Sequence, residues 1–381
     1  MTEHSIGVAL VGAGVIGRNH AAAIGRHPRL RVVAVVDVDP AARAALAGET
    51  GAAGYATLPG ALADPAVELV AVCTPSGLHV AGAEAALAAG RHVLVEKPVD
   101  VALGPARRLA AAADAAAARG IVTTVVSQHR FDPASVAVAD AVAAGRFGTI
   151  TSAVASVAWW RAQAYYDSAG WRGTWALDGG GALANQGVHT ADLLLWLLGE
   201  PVEVYARTGL LAHHGVEVED VAVATVAFAS GALAVLHATT AAYPGLAVRL
   251  SVHGSHGSAV LHDDQLEYFH AEDRDAGGDA NQAAEVVAAE EIRGNAKVDD
   301  AFVVGHLRQY DDVVEAITNG RTPGVTVHHA LLALALVRAV YVSAALGRPV
   351  AMADVLAGVY DDTPVRVAGA RTTIETEKAG Q

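Results

Sequence analysis

Val8-Ala-Leu-Val11-Gly12-Ala-Gly14-Val15-Ile16-Gly17 is a short apolar run that passes directly into a G-x-G-x-x-G pattern. Four apolar residues stopped by glycine predict a buried strand, and the alanine-rich stretch beyond predicts a helix, so the glycines lie on a strand-to-helix turn. Each then has a task. Gly12 permits the tight turn, Gly14 lets backbone approach a pyrophosphate, and Gly17 lets helix and strand pack closely, while Val15 and Ile16 open the helix whose N-terminus stabilises the anion. Asp37 closes the next apolar run, twenty positions after Gly17, where a carboxylate accepts hydrogen bonds from an adenosine ribose. The plainer alternative is that Asp37 only begins the Asp39-Pro40 turn. In the first reading its charge repels a 2′-phosphate and Val38 offers no compensating cation, so NAD is expected rather than NADP.

Working outward, the unit of strand, turn and helix repeats from Ile6 to about Ser127. Strands are expected near Ile6 to Val11, Arg31 to Val36, Leu69 to Cys73, His92 to Val95 and Ile121 to Val126, and helices near 20–25, 40–46, 79–89 and 105–118. Alternating units of this kind build a parallel sheet covered on both faces, an α/β Rossmann domain over residues 1–127. From Gln128 a period of two takes over, in 150–157, 202–207, 221–228, 232–238 and 246–252, which predicts an α+β second domain over 128–381 with a large, mostly antiparallel open sheet. Residues 302–318 and 327–346 read as helices ending near Gly320 and Gly347, and Glu272 to Asp300 is rich in Asp, Glu, Gly and Ala.

The 381 residues suit two or three domains, and 53% hydrophobic against 17% charged residues excludes a disordered chain. Twenty-six basic and forty acidic side chains leave a net charge of −14, the wrong sign for nucleic acid or an anionic membrane. The longest uncharged stretch, Val221 to Val248, alternates about Ser230-Gly231 and reads as a β-hairpin rather than a membrane span. A single cysteine, Cys73, forms no internal disulfide, reads as a buried inert thiol, and suits a reducing cytoplasm. Met1-Thr-Glu-His-Ser lacks the basic start of a signal peptide, so a cytoplasmic protein is expected. Neither His213-His214, His253 with His256, His262, nor His328-His329 has ligand spacing with a carboxylate partner, so no metal is expected.

Glu96-Lys97-Pro98 ends a strand, and ligands of parallel sheets bind beyond the carboxyl ends of strands. On its own, Lys97 reads equally as a solvated lysine. Downstream, Asp178-Gly-Gly-Gly-Ala-Leu-Ala-Asn185-Gln-Gly-Val-His189-Thr-Ala-Asp192 spaces Asn185, His189 and Asp192 along one helix face, with an imidazole suited to acid/base work. Trp159, Trp160, Trp171 and Trp175 cluster with Tyr165, Tyr166, Arg161 and Arg172, a set suited to sugar faces and hydroxyls or equally to packing and an interface. Of these, Trp171 and Arg172, with Arg130, are the candidate substrate contacts.

Together the Gly12 loop, Cys73-Thr74-Pro75-Ser76-Gly-Leu-His79, Glu96-Lys97-Pro98, Gln128-His-Arg130-Phe131 and the 179–192 segment resemble the Gfo/Idh/MocA oxidoreductases over most of the chain. The resemblance implies hydride transfer between a nicotinamide and a secondary hydroxyl of a sugar, sugar derivative or cyclitol such as inositol. It implies that Lys97 hydrogen-bonds the reacting oxygen and assists proton transfer, that His189 faces the substrate, and that Thr74, Pro75, His79 and Glu96 border the cofactor. It also implies a second domain that binds substrate and packs into dimers or tetramers. Asn185 stands where many inositol dehydrogenase-like members carry Asp, and an amide neither takes a proton nor stabilises imidazolium by charge. Two assignments follow: His189 is the base, oriented by Asp192, or Lys97 is the base, the assignment favoured here, with Asn185 and His189 positioning the sugar. An NADP-linked keto-sugar reductase and a non-catalytic dinucleotide- and sugar-binding regulator are the alternatives to a dehydrogenase.

Overall fold

The structure, a computed structural model, describes residues 4–271, 278–296, 300–365 and 367. The first half follows the repeat: β1 (Ile6–Val11), α1 (Val15–Arg26), β2 (Leu30–Val36), α2 (Pro40–Thr50), β3 (Ala53–Tyr55), α3 (Leu58–Leu62), β4 (Leu69–Val72), α4 (His79–Ala88), β5 (His92–Val95), α5 (Leu103–Ala117) and β6 (Thr123–Val125). Local chemistry sets the ends. Asp39 caps α2 by accepting from the Ala41 N–H at 2.9 Å, Pro40 occupies its first turn, and Gly51 ends it in the left-handed region at φ 72°, a conformation glycine adopts without a Cβ clash. The strands run parallel in the order β3-β2-β1-β4-β5-β6. The order reverses between β1 and β4, which opens a crevice at the carboxyl ends where the Gly12 loop lies. Every residue of β1 is buried, as expected of a strand covered on both faces.

The second half continues with α6 (Pro133–Ala143), β7 (Ile150–Ala158), α7 (Gln163–Asp167), α8 (Val188–Leu198), β8 (Pro201–Gly209), β9 (Val221–Phe228), β10 (Leu233–Thr239), β11 (Val248–Gly254), β12 (Gly257–His262), β13 (Gln265–Ala271), α9 (Ala283–Val286), α10 (Ala301–Asn319), α11 (Val327–Leu346) and β14 (Val350–Ala351). Eight strands form one sheet, β13-β12-β11-β7-β10-β9-β8-β14, antiparallel throughout except where β10 lies parallel to β7. Alternation sorts its faces. Ala222, Ala224 and Val226 of β9 are buried while Val223 and Thr225 are exposed, as expected of a strand in a sheet with one packed face; α8 and α11 pack on neighbouring strands.

Several features were not anticipated. Helix α1 begins at Val15, directly on the glycine turn, rather than near His20, and β6 covers only Thr123–Val125. The β12–β13 hairpin turns through Asp263 and Asp264 at φ 47° and 70°, without the Asn-Gly or Asp-Gly pair that marks such a turn in sequence. The acid- and glycine-rich segment lies partly outside the described residues. Helix α11 is long and apolar enough to cross a membrane by length and composition, but it packs against β8, α5 and α8. Helix α10 returns to the first domain, where Tyr310, Val313 and Val314 join the cluster of Ile6, Val8 and Leu10.

Candidate active site

At the crevice, Gly12 has φ +106° and a Cβ there would lie 2.6 Å from the Cys73 carbonyl oxygen; one on Gly17 would lie 2.0 Å from the Gly12 carbonyl oxygen. Both positions demand glycine sterically. Gly14 is different: nothing lies within 4 Å of its Cβ position, and as N-cap of α1 it leaves the first turn without a side-chain cap. Asp37 does more than start a turn, accepting from Ala13 N–H at 2.7 Å and Asp39 N–H at 2.8 Å, so it clasps the glycine loop to the end of β2. Arg43 supplies a cation that Val38 does not, its Nη1 donating to the Asp37 carbonyl at 2.6 Å. Val15 and Val38 are exposed, and Ile16 lines the central cavity. At Thr74-Pro75, the Thr74 hydroxyl is buried without a partner among the described residues, and the His79 ring bridges the carbonyls of Pro98 and Thr74 at 2.7 and 2.8 Å. An open helix N-terminus, an uncovered Gly14 and an orphaned buried hydroxyl fit a dinucleotide laid across this loop.

The crevice leads into a cavity of about 600 Å³ bordered by Glu96, Lys97, Asn185 and His189, with Trp159, Arg161 and Tyr165 on one wall and Phe302, His306 and Arg308 on another. Lys97 follows β5 and is joined to the next residue by a cis Lys97–Pro98 peptide bond. Its Nζ donates to the Asn185 carbonyl at 3.2 Å, and it makes no ion pair among the described residues. Burial lowers its pKa against the opposing pull of Glu96 and Asp178. Glu96 anchors it from behind: one carboxylate oxygen accepts from the Lys97 N–H at 2.9 Å, and the other lies 3.0 Å from His20 Nε2 and 3.3 Å from His306 Nε2. Burial opposes that charge, but the two histidines hold the carboxyl well below its usual range. These three side chains, one of two such donor sets among the described residues, the other being His129, Asp132 and Asp264, are engaged with one another and tie α1, the end of β5 and α10 together.

His189 makes no hydrogen bond among the described residues; its ring meets the edge of His129 at 5.0 Å between centroids. Burial, then the charges of His129 and Lys97, hold its pKa well below the usual value. Burial alone would lower His129 too, but Asp264 and Asp132, at 3.1 and 2.8 Å, push it up to about 10. A charged imidazole thus stands beside a neutral one.

The structure corrects four expectations. Arg130 does not face the cavity: it is 5% exposed, and its Nε and Nη2 donate to Asp192 at 2.7 and 2.6 Å. Four consecutive residues, Gln128–Phe131, form a 3-10 turn whose side chains fan out by about 120°, so His129 takes the cavity side and Arg130 the core. Asp192, also bonded by the Ser127 hydroxyl, is consequently unable to orient His189. Asn185 does not share the α-helix of His189; it lies in a π-helical segment, Ala182–Gly187, that precedes α8, although both side chains border the cavity. Trp171 and Arg172 stack together, 4.5 Å from guanidinium to ring, and Arg172 donates to the Tyr165 hydroxyl at 2.8 Å; Tyr165, not they, lines the cavity. Trp160 packs on Tyr243 and Trp175 on Tyr341. Cys73 is partly buried and its thiol is pushed up by burial.

Two further carboxylates shape the site. Asp178 accepts from Asn185 Nδ2 and Gly173 N–H, both at 2.8 Å. Glu219 accepts from Gly181 N–H, Leu183 N–H and the Tyr341 hydroxyl at 2.9, 2.8 and 3.0 Å, fixing the start of the π-helical segment. The signal for Asp178 was its place directly before three glycines; nothing local marks Glu219.

Residues 6–124 match the model of the oxidoreductase family with an NAD-binding Rossmann fold, and residues 135–260 match the Gfo/Idh/MocA C-terminal domain. Inositol 2-dehydrogenase of Rhizobium meliloti (strain 1021) is 31% identical over 261 residues, 66% of this chain and 74% of that protein. The chain belongs to the Gfo/Idh/MocA family. Among other members, 1,5-anhydro-D-fructose reductase of Ensifer adhaerens is 32% identical over 256 residues, 66% of this chain and 74% of that one. The crystal structure of the WlbA dehydrogenase from Bordetella pertussis, in complex with NADH and UDP-GlcNAcA, superimposes with a TM-score of 0.81 at 32% identity, covering 92% of this chain and 99% of that one. This Gfo/Idh/MocA protein is therefore an oxidoreductase with an NAD-binding Rossmann domain and sugar- and cyclitol-dehydrogenase relatives.

Proposed function

We propose that the protein is an NAD-dependent dehydrogenase that oxidises a secondary hydroxyl of a sugar, sugar derivative or cyclitol, working in the cytoplasm as a homo-oligomer. One observation carries the reading: a half-buried lysine that makes no ion pair among the described residues and has a lowered pKa stands in one cavity with a histidine whose pKa is held well below its usual value, at the carboxyl end of β5, beside a glycine loop fit for a dinucleotide. When bound, the nicotinamide supplies the acceptor for the carbinol hydride. Lys97, neutral more readily than a solvated lysine, takes the hydroxyl proton at Nζ. His189 cannot readily charge beside His129, so it serves as a hydrogen-bond partner of the hydroxyl. The carboxylate of Asp37 favours NAD, while Arg43 beside it is a feature that favours NADP.

The test is growth of reduced-nicotinamide absorbance with NAD or NADP over a panel of cyclitols, pyranoses, glycosides and anhydro-sugars, with K97A in parallel. Growth with NAD that K97A abolishes is the expected result. Silence in both directions, with intact NADH binding by calorimetry, would leave the regulator reading instead.

A further inference from the structure

Asn185 raises the question of what its amide is for. Asp178 is 3% exposed, and its two oxygens are taken by Gly173 N–H and Asn185 Nδ2, each at 2.8 Å. An ionised carboxylate only accepts, so the amide must present its NH₂ to Asp178, which leaves Oδ1 without a partner among the described residues and Asn185 on the cavity wall. The backbone carbonyl of the same residue holds Lys97 Nζ at 3.2 Å. We propose that Asp178 is a positioning residue which supplies, one side chain removed, the carboxylate absent from position 185: it turns Asn185 Oδ1 toward the substrate as an obligate acceptor and provides the countercharge for Lys97 once that residue has taken the proton. Asn185 thereby selects a substrate with a hydroxyl or N–H donor next to the reacting carbon.

The inference rests on Lys97 being the base. In the oxidative direction the hydroxyl O–H bond breaks, an N–H bond forms at Nζ, and the ammonium so formed lies in the field of Asp178 and Glu96, opposed by Arg172. Burial weakens the charged form of Asp178, and the Gly173 N–H, Arg172, Lys97 and Asn185 counter it.

D178N, N185D and the exchanged pair D178N/N185D test it. D178N keeps shape but removes the charge and frees the amide to flip, so kcat/KM falls about 10- to 100-fold, and the pH limb of oxidation moves to lower pH because Lys97 loses a raising charge. N185D sets two carboxylates face to face and is worse. The exchanged pair restores one carboxylate facing one amide and recovers at least tenfold over N185D, with the limb returned toward wild type. A merely structural Asp178 would lower the melting temperature of D178N without moving the limb. An unmoved limb in D178N, or an exchanged pair no better than N185D, overturns the proposal; if D178N does not fold, the exchanged pair alone decides. Failure of the underlying reading is separate: K97A that retains turnover removes the base and leaves the swap to report on KM only.

Discussion

Lys97 and His189 share one cavity, yet burial acts on them with different consequences. A lysine partly withdrawn from solvent loses its proton more easily and becomes a usable base, whereas a histidine beside a charged neighbour resists protonation and orients. K97A should lower kcat by roughly 10²- to 10⁴-fold while NADH binding, followed by fluorescence, stays within twofold. The sign of the pH dependence follows from the direction of the shift: oxidation rises as pH climbs through the lowered Lys97 pKa and levels off before the value of a solvated lysine is reached. H189Q should raise KM more than it lowers kcat and keep that rising limb. A limb that vanishes in H189Q and persists in K97Q would make His189 the base.

Elements carry the next level of control. On the strand-turn-helix that opens the chain, two glycines of one pattern answer to different forces. G17A drives a Cβ into the Gly12 carbonyl oxygen and should cost about 1–3 kcal/mol of stability. G14A meets no protein atom, so thermal stability should change by less than about 0.5 kcal/mol while calorimetry shows weaker NADH binding; equal effects of both on stability would refute the distinction. Glu219 holds the π-helical segment that delivers Asn185, and burial, against its Leu183, Gly181 and Tyr341 donors, pushes its pKa up to about 7 from an unfolded value near 4.5. The folded state then binds more protons than the unfolded one between those values. Its contribution is fully present below about pH 4.5 and declines as pH rises to about 7. The stability difference between wild type and E219Q should therefore shift against wild type across that window, and a difference flat with pH would show that Glu219 titrates normally.

At the scale of the whole molecule, the eight-stranded sheet is covered by helices on one face only. On the other, Val154, Val223, Leu233 and Val235 are exposed, Leu233 at 63%, and the registers of β7, β9 and β10 set them on one surface. A contiguous apolar face of that kind is where the proposed homo-oligomer would join, since a second copy of the chain would present a matching face. Light scattering should find a dimer or tetramer for wild type and a smaller species for V223E/V235K, with the Rossmann half still binding NADH. A wild-type monomer would remove the proposal of a homo-oligomer.

Strand-turn-helix chemistry is local, which is why the Gly12 loop, Asp37, the βα repeat, the family and the candidate lysine and histidine were legible in the sequence. Periodicity equally set out the second sheet, since alternation encodes which face is buried. What sequence did not carry was orientation. Whether Arg130 or His129 faces the cavity depends on a single 3-10 turn, and whether Asp192 serves His189 or Arg130 depends on which buried cation arrives from another segment. The π-helical offset of Asn185, the return of α10 to the first domain and the engagement of Glu96 by His20 and His306 each join residues far apart in the chain. The sequence by itself determined the fold class, the dinucleotide loop and the chemistry available. Only the tertiary structure decided which charged groups neutralise one another and which are left to act, because burial and partnership are properties of contacts between distant segments.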